Sequence, residues 1–164
     1  MRRIQKKASE ATVWLGLAQR PSVGARLRDR YLVDNSVWAR LPKSAVVASR
    51  LFEVAQAHEI VTATPQVLET AFSARTPAEY DEMIARMAAF DPLPMSATTH
   101  TIALNLQHGL WHSGRMRAAG AFDILLAALA IEHDVTLLHY DADYEHLAGV
   151  SALRQEWIAP RGSL

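Results

Sequence analysis

The sequence of 164 residues contains no cysteine, which excludes both a disulfide framework and a thiolate metal site. This absence favours a reducing compartment, and we expect a cytoplasmic protein. No apolar run is long enough to cross a bilayer, and no segment resembles a secretory signal. Because 50% of the residues are hydrophobic and only 21% are charged, an intrinsically disordered chain is excluded as well. The remaining class is a globular domain with its own core.

The chain also lacks a net charge, but this balance conceals an uneven distribution. Residues 1–30 contain eight Lys or Arg and only two acidic residues, whereas residues 31–164 carry a net charge of −6. The pattern predicts a basic N-terminal extension over residues 1–29 and a folded domain over residues 30–164. Three other interpretations of the extension stay open: a solvated tail, a transit peptide, or a start site assigned too far upstream.

Beyond residue 29, short apolar runs alternate with segments of helical periodicity. The predicted strands are 31–33, 59–63, 91–95, 135–140 and 154–159, and the predicted helices are 44–58, 65–75, 77–90, 97–112 and 121–133. Thr64-Pro65 and Thr76-Pro77 each fit an N-cap followed by proline at the first helical position. Two prolines restrict the 91–95 strand to a sheet edge. The alternation predicts an α/β fold, a three-layer α/β/α sandwich with a mostly parallel sheet.

Five acidic residues fall near the carboxyl ends of these strands or at the starts of the helices that follow them. Asp34 ends the first strand, Glu69 lies in the second turn of the 65–75 helix, and Asp123 lies in the first turn of its helix. Asp141 and Asp143 directly follow the 135–140 strand. Since sites in parallel sheets form outside the carboxyl ends of the strands, the five carboxylates are expected at one edge.

Each of these acids also has a purely structural interpretation. Asp34 can cap a short helix, and Asp141 with Asp143 can form an Asx turn. Glu69 can be a solvated residue, since it points away from an apolar face formed by Val67, Leu68, Ala71 and Phe72.

Asp123 is the hardest acid to explain structurally, because eight residues without a polar side chain follow it. A helix that is apolar on every side is buried, so the carboxylate at its head is short of water. Crowded carboxylates repel one another and take up protons unless a cation lies between them. Oxygen ligands alone, without His or Cys, suit a hard ion such as Mg²⁺ or Mn²⁺. The acids therefore favour a metal site.

Three segments carry a family resemblance: "YLVDNSVWARL", "VTATPQVLETAF" and "AFDILLAALAIEHDVTLLHYDADYEHLA". In this order they resemble the PIN-domain family, in particular the VapC-type toxins of bacterial toxin–antitoxin pairs. The resemblance extends from about residue 30 to the C-terminus and leaves the basic extension unmatched. Two departures stand out: Tyr144 where Phe is common, and His139-Tyr140 where Thr and a basic residue are frequent. Neither is expected to touch the acids.

The resemblance implies an α/β/α sandwich and a metal-dependent endoribonuclease that uses Mg²⁺, with Mn²⁺ as an alternative. It implies a catalytic set of Asp34, Glu69, Asp123 and Asp141. Asp34, Asp123 and Asp141 are the expected direct metal ligands, Asp143 is an auxiliary one, and Glu69 either binds metal or orients water. Four arginines near the expected edge are candidate phosphate contacts: Arg40, Arg75, Arg115 and Arg117.

The resemblance also implies a homodimer bound to a VapB-type antitoxin, with RNA as the substrate and no membrane association. Apolar stripes on two helices are candidate docking surfaces for such a partner: Val47, Leu51 and Val54 on one, and Tyr80, Met83, Ile84 and Met87 on the other. Two alternatives stay open. One is a non-catalytic RNA-binding PIN domain. The other is a stand-alone nuclease or phosphohydrolase that processes RNA or DNA.

Overall fold

The computed structural model describes residues 29–164 together with Trp14, Gly16 and Leu17. Among these residues, five strands form one sheet: β1 Arg30–Val33, β2 Glu59–Ala63, β3 Asp91–Leu93, β4 Thr136–His139 and β5 Gln155–Trp157. Seven helices connect or flank them within residues 29–164: α1 Asn35–Trp38, α2 Ala45–Ala57, α3 Thr64–Phe72, α4 Pro77–Met87, α5 Ala97–His112, α6 Ala121–Glu132 and α7 Asp143–Ala148. Most of the predicted extension lies outside the described residues, so the boundary at residue 29 stays a prediction.

The sheet has the order β3-β2-β1-β4-β5, and every neighbouring pair is parallel. Leu32 of β1 lies opposite Val61 of β2 on one side and Leu137 of β4 on the other. β1 is therefore central, and its carboxyl end lies in the middle of the sheet edge. The expected parallel sheet is confirmed, and so is the edge position of the proline-containing strand.

Each face of the sheet is covered by its own hydrophobic core, as a three-layer sandwich requires. Leu32 faces the core formed with α5, α6 and α7. Tyr31 and Val33, its neighbours in the strand, face the core formed with α1, α2 and the end of α4. Both faces of β1 are thus buried, which explains its unbroken apolar run.

The structure corrects the prediction for the helix after β2. It begins at Thr64, with Ala63 as a cap that makes no side-chain bond, and it ends at Phe72, before Arg75. The predicted apolar face is wrong, because Leu68 is 54% and Phe72 91% exposed. The buried face contains polar Gln66 and Thr70 instead. Nε2 of Gln66 donates to Oγ1 of Thr70 (3.1 Å), whereas Oε1 of Gln66 is buried without a hydrogen-bond partner among the described residues.

The stripe Val47, Leu51 and Val54 of α2 is also used differently from the docking hypothesis. All three side chains are at most 2% exposed, because they pack against the sheet. On α4, Met87 is buried and Tyr80 is exposed. The α2 stripe is therefore core and not a partner surface. Among the described residues, no helix is long and apolar enough to cross a membrane.

Candidate active site at the carboxyl edge of the sheet

Asp34 is placed where the central strand ends. Its backbone N–H donates to the Leu138 carbonyl of β4 (2.9 Å), which extends the β1–β4 pairing by one residue. Its side chain caps α1 by accepting from the Ser36 N–H (2.8 Å), as the structural interpretation predicts. The residue is only 4% exposed. The strand therefore delivers a buried carboxylate, and one oxygen of that carboxylate is committed to the cap.

Asp123 is held at the head of α6, whose buried residues include the run from Leu126 to Ala130. One carboxylate oxygen accepts from the Gly120 N–H (2.9 Å). A Cβ at position 120 would lie 3.0 Å from that oxygen, so glycine permits the close approach. The expectation that this helix is buried is confirmed. The bond from the Gly120 N–H holds one oxygen of the Asp123 carboxylate, and the other oxygen takes no part in that bond.

The hydroxyl of Tyr144 joins these two acids. It lies 2.8 Å from Oδ1 of Asp34 and 3.2 Å from Oδ1 of Asp123, and the side chain is fully buried. A tyrosine hydroxyl has one proton to donate. Either Asp34 and Asp123 share that proton, or a protonated Asp123 donates its own proton to the hydroxyl oxygen. The expectation that residue 144 does not touch the acids is wrong. Its position three residues after Asp141, on the inward face of α7, was the available sequence signal.

Asp141 and Asp143 form the predicted Asx turn after β4. Oδ1 of Asp141 accepts from the Asp143 N–H (3.1 Å). The Asp141 N–H donates to Nδ1 of His139 (3.1 Å), so Nε2 of that ring carries the proton and faces Oε1 of Gln155 (2.5 Å). Burial lowers the pKa of His139, which keeps the ring neutral. The turn thus orients the Asp141 side chain toward the other acids, and the hydrogen bond to His139 holds the Asp141 backbone in place.

Electrostatic coupling shows that Glu69 belongs to the same group. Burial raises the pKa of Glu69, and the charges of Asp34, Asp123 and Asp141 raise it further. A hydrogen bond with the Asn35 side chain acts in the opposite direction. The half-buried Glu69 is thus close enough for the charges of all three aspartates to act on it. The structure places the four predicted acids within electrostatic range of one another.

The carboxyl group of Asp123 shows the strongest resolved perturbation among these acids. Burial raises its pKa from 3.8 to about 6, the bond from Gly120 lowers it, and Asp34 and Asp141 raise it. The pKa of Asp143 is raised by burial and by Asp141, while His146 lowers it. Crowded carboxylates that are short of water are a recurrent feature of functional sites, because folding alone gains nothing from them.

The donor set fits a hard divalent cation in its chemistry, since every candidate ligand offers oxygen. Within residues 29–164 and the three described N-terminal residues, however, no three carboxylates or imidazoles stand together as a metal-holding group. Asp34 and Asp123 instead face each other across the Tyr144 hydroxyl. Binding of a cation by Asp34 and Asp123 would therefore require their side chains to turn away from the Tyr144 hydroxyl.

The four arginines occupy three places. Arg40 donates to the Ser36 carbonyl (2.8 Å) and stacks on the Tyr140 ring at 4.6 Å, so its contacts explain it structurally. Arg75 is exposed and lines a cleft with Asn35. Arg115 and Arg117 line a shallow pocket with His146, the residue that acts on Asp143. The last three line pockets that contain a neighbour of the acids, Asn35 or His146, but none of the four acids lines either pocket.

The sequence profile of the PIN domain matches residues 31–150, which include every one of these acids. The chain belongs to the PIN-domain family. This PIN domain is 35% identical to "Ribonuclease VapC51" of Mycobacterium tuberculosis over 136 residues, which cover 82% of the chain and 97% of that relative. "Ribonuclease VapC18" of the same organism is 29% identical over 82% of the chain and 98% of its own length.

Comparison of structures supports the same fold. The VapBC2 complex of Rickettsia felis, solved with a DNA fragment from its promoter, contains a chain that superposes with a TM-score of 0.66. The match has 15% sequence identity and covers 78% of this PIN domain protein and 98% of that chain. At this identity the likeness establishes the fold, and the function has to be argued from the site.

Proposed function

We propose that this PIN protein is a metal-dependent endoribonuclease and the toxin of a toxin–antitoxin pair. The observation that carries the proposal is the convergence of Asp34, Glu69, Asp123 and Asp141 at one sheet edge, where Glu69 senses the other three charges. Convergence of this kind is costly for folding and useful for binding a cation and a phosphodiester. The relatives named as VapC ribonucleases support the reaction class.

In this proposal Asp34, Asp123 and Asp141 are the metal ligands, with Asp143 as an auxiliary. Bound Mg²⁺ or Mn²⁺ would neutralise charge on a scissile phosphodiester and acidify a water molecule. Glu69 has a raised pKa, and the Asn35 side chain holds it, so it is suited to orient that water and to accept its proton. The cap on Asp34 and the Gly120 bond to Asp123 fix one oxygen of each acid, so only the others need to move.

We propose that Arg75, Arg115 and Arg117, whose side chains are exposed, bind the phosphates of the substrate. Arg40 remains a weaker candidate, since Ser36 and Tyr140 already occupy its guanidinium. Phosphate contacts of this type attract RNA without reading its sequence.

A VapB-type antitoxin is the proposed partner, because the similar solved structure from Rickettsia felis is a VapBC complex. A homodimer is also proposed, from the family resemblance of the sequence alone. A cytoplasmic location follows in the proposal from the RNA substrate and from the absence of cysteine. An Arg from the antitoxin would suit the carboxylate cluster, since its guanidinium binds carboxylates in a bidentate way.

Incubation of the purified protein with structured RNA tests the proposal directly. Cleavage is expected with Mg²⁺ or Mn²⁺ and not with EDTA, and Asp34→Ala should abolish it. Asp81→Asn, which changes an exposed acid of α4, is the matched control and should cleave like the wild type. Cleavage that persists in EDTA, or none under any condition, would refute the proposal.

A non-catalytic RNA-binding PIN domain is the second candidate. The observation in its favour is the Tyr144 hydroxyl between Asp34 and Asp123, which gives the acids a partner without any ion. RNA retention without cleavage in the same assay would establish this alternative. Cleavage of single-stranded DNA in preference to matched RNA would instead indicate a DNA-processing nuclease.

A further inference from the structure

A shallow pocket at the end of α5 combines an exposed aromatic ring with positive charge. Its volume is about 550 Å³, and its lining includes Trp111, Arg115, Arg117 and His146. Sites for small ligands usually have volumes of about 300–1,000 Å³, so the pocket is large enough for one. Trp111 is 57% exposed, and the hydrophobic core therefore leaves much of its ring uncovered. Both arginines are exposed as well.

Arg115 and Arg117 differ from most arginines of this PIN domain, because their guanidinium groups have no polar partner. Neither group forms a hydrogen bond or an ion pair with another residue that the structure describes. Six other arginines do form such a contact: Arg30, Arg40, Arg50, Arg86, Arg154 and Arg161. Arg75 lacks one too, but it lines the other cleft. Two cations available for an anion therefore share one pocket, in a chain whose residues 31–164 have a net charge of −6.

The backbone fixes the place of this pocket. Gly114 ends α5 in the left-handed region (φ 76°), which glycine adopts without strain. The Arg115 N–H then donates to the Leu110 carbonyl (2.8 Å), and the Ala118 N–H donates to the Arg115 carbonyl (3.0 Å). On the other side, a Cβ at Gly149 would lie 2.7 Å from Nη1 of Arg115, so this guanidinium rests against the end of α7. The pocket is thus formed by a hydrogen-bonded turn and by α7.

The pocket adjoins the candidate active site without including its acids. Ala118 lines the pocket, and the same loop continues to Gly120, whose N–H holds the Asp123 carboxylate. The five residues from Ala118 to Asp123 span at most about 18 Å even when fully extended. On the α7 side, His146 is close enough to Asp143 to lower its pKa. A ligand in the pocket therefore lies next to the carboxylates and leaves them accessible.

The chemistry of the pocket fits a nucleotide. Guanidinium groups without a partner attract an anion such as phosphate, and an exposed indole ring attracts a flat aromatic system. We propose that the pocket formed by Trp111, Arg115, Arg117 and His146 binds one nucleotide of single-stranded RNA, with the base stacked on Trp111 and the phosphate held by the arginines. The choice of RNA rests on the proposed function. A base that stacks on a protein ring has to leave its own helix, so the pocket selects single strands and loops over duplexes.

Stacking is tested by binding of a fluorescein-labelled single-stranded RNA in EDTA, where the result does not depend on cleavage. Trp111→Ala should weaken binding about tenfold, because one base loses its stacking partner. Trp111→Phe keeps a ring and should recover most of this loss. Phe72→Ala removes another exposed aromatic side chain, which lines neither pocket, and is the control that should bind like the wild type. With a duplex of the same sequence, Trp111→Ala and the wild type should bind equally well.

The phosphate contact is tested by the salt dependence of the same binding reaction. The double variant Arg115→Gln/Arg117→Gln should bind more weakly and should reduce the slope of log K against log salt by about 0.7–1.4, at roughly 0.7 per phosphate contact. Trp111→Ala removes no charge and should leave that slope unchanged. Arg154→Gln removes a surface cation that is paired with Asp134 (3.0 Å), and it is the control that should keep both affinity and slope.

Unchanged binding of single-stranded RNA by Trp111→Ala would overturn the inference, and so would an equal loss of affinity for the duplex. A shift of Trp111→Ala from dimer to monomer in size-exclusion chromatography would also overturn it, because Trp111 would then belong to a contact between copies of this chain. Absence of RNA binding by the wild type in EDTA would do the same, even if cleavage with Mg²⁺ is observed. Absence of cleavage with the expected binding results would instead count against the proposed nuclease and leave this inference standing.

Discussion

Tyr144→Phe is the most informative single substitution, because it removes one oxygen from the centre of the site. The ring keeps its place between the sheet and α6, since phenylalanine has the same shape without the hydroxyl. The change deletes the 2.8 Å bond to Asp34 and the 3.2 Å contact with Asp123. Burial and the two nearby carboxylates raise the pKa of Tyr144, so the hydroxyl is protonated and able to donate at every relevant pH.

The expected cost follows from what is left behind. Asp34 is 4% exposed, and without the hydroxyl its Oδ1 loses the partner that it has in the metal-free protein. A hydrogen bond to a charged group contributes about 1.5–3 kcal/mol, and an unsatisfied buried acceptor costs a similar amount. We therefore expect a loss of about 2 kcal/mol in the free energy of unfolding without metal. For a chain of this size that corresponds to a fall of about 4–8 °C in Tm.

Urea denaturation in EDTA at pH 7.5 measures this loss, and an unchanged m-value would show that the folded state is otherwise intact. Tyr140→Phe is the matched control. It also removes a tyrosine hydroxyl, but one that only accepts from the N–H of exposed Leu164, so its cost should stay below about 0.5 kcal/mol. A Tyr144→Phe protein as stable as the wild type would refute the bridging role of the hydroxyl.

Three further predictions concern the acids and the packing around them. Burial raises the pKa of Asp123 from 3.8 to about 6, so the ionised form is disfavoured in the folded state. The stability that the folded protein gains from the protonated carboxyl group is therefore fully present below pH 4 and is lost as the pH rises through 6. Asp123→Asn should therefore be about 1–2 kcal/mol more stable than the wild type above pH 6 in EDTA, allowing for solvent screening, and equal below pH 4. It should also gain less Tm on addition of Mg²⁺, and equal gains would contradict a metal site at Asp123. Glu69→Gln should lower RNA cleavage about 100-fold with an unchanged circular dichroism spectrum, and retention of full activity would remove Glu69 from the mechanism. Phe72→Ala should change the free energy of unfolding by less than about 0.5 kcal/mol, since the side chain is 91% exposed, whereas Leu51→Ala should cost about 3 kcal/mol. Similar costs for these two variants, measured in urea, would contradict the packing of α2 and α3.

The layered fold and the location of the acids could be predicted from sequence because both depend on local patterns. Apolar runs that alternate with helical periodicity determine the parallel sheet, and polar residues that directly follow a strand must lie at its carboxyl end. Asp34 and Asp141 are of this kind. Asp123 was identified by the apolar run behind it, which the structure shows to be buried.

The buried face of α3 could not be predicted in the same way. Hydrophobic periodicity assigned Leu68 and Phe72 to the core, whereas the fold buries Gln66 and Thr70. This burial is accompanied by a bond from Gln66 to Thr70 within α3 and by one from Thr70 to Asn35 (3.1 Å), 35 positions away in sequence, although Oε1 of Gln66 has no partner among the described residues. Long-range pairing of this kind is invisible to a pattern of local hydrophobicity. The Tyr144 bridge joins Tyr144 to Asp34, 110 positions away, and its one local signal was the position of Tyr144 three residues after Asp141.

The parallel pairing of β1 with β4 has a consequence for the timing of synthesis. Tyr31 lies opposite Thr136, so the strand that positions Asp34 lacks a partner on one side until more than a hundred further residues have been made. The ribosome releases the chain from its N-terminus, at about 5–20 residues per second. Asp123, Asp141 and Tyr144 are added about 90 or more residues after Asp34. A nascent or prematurely terminated chain that stops before β4 therefore has no assembled carboxylate cluster, and under the proposed function it could not cleave the RNA around its own ribosome before these residues fold.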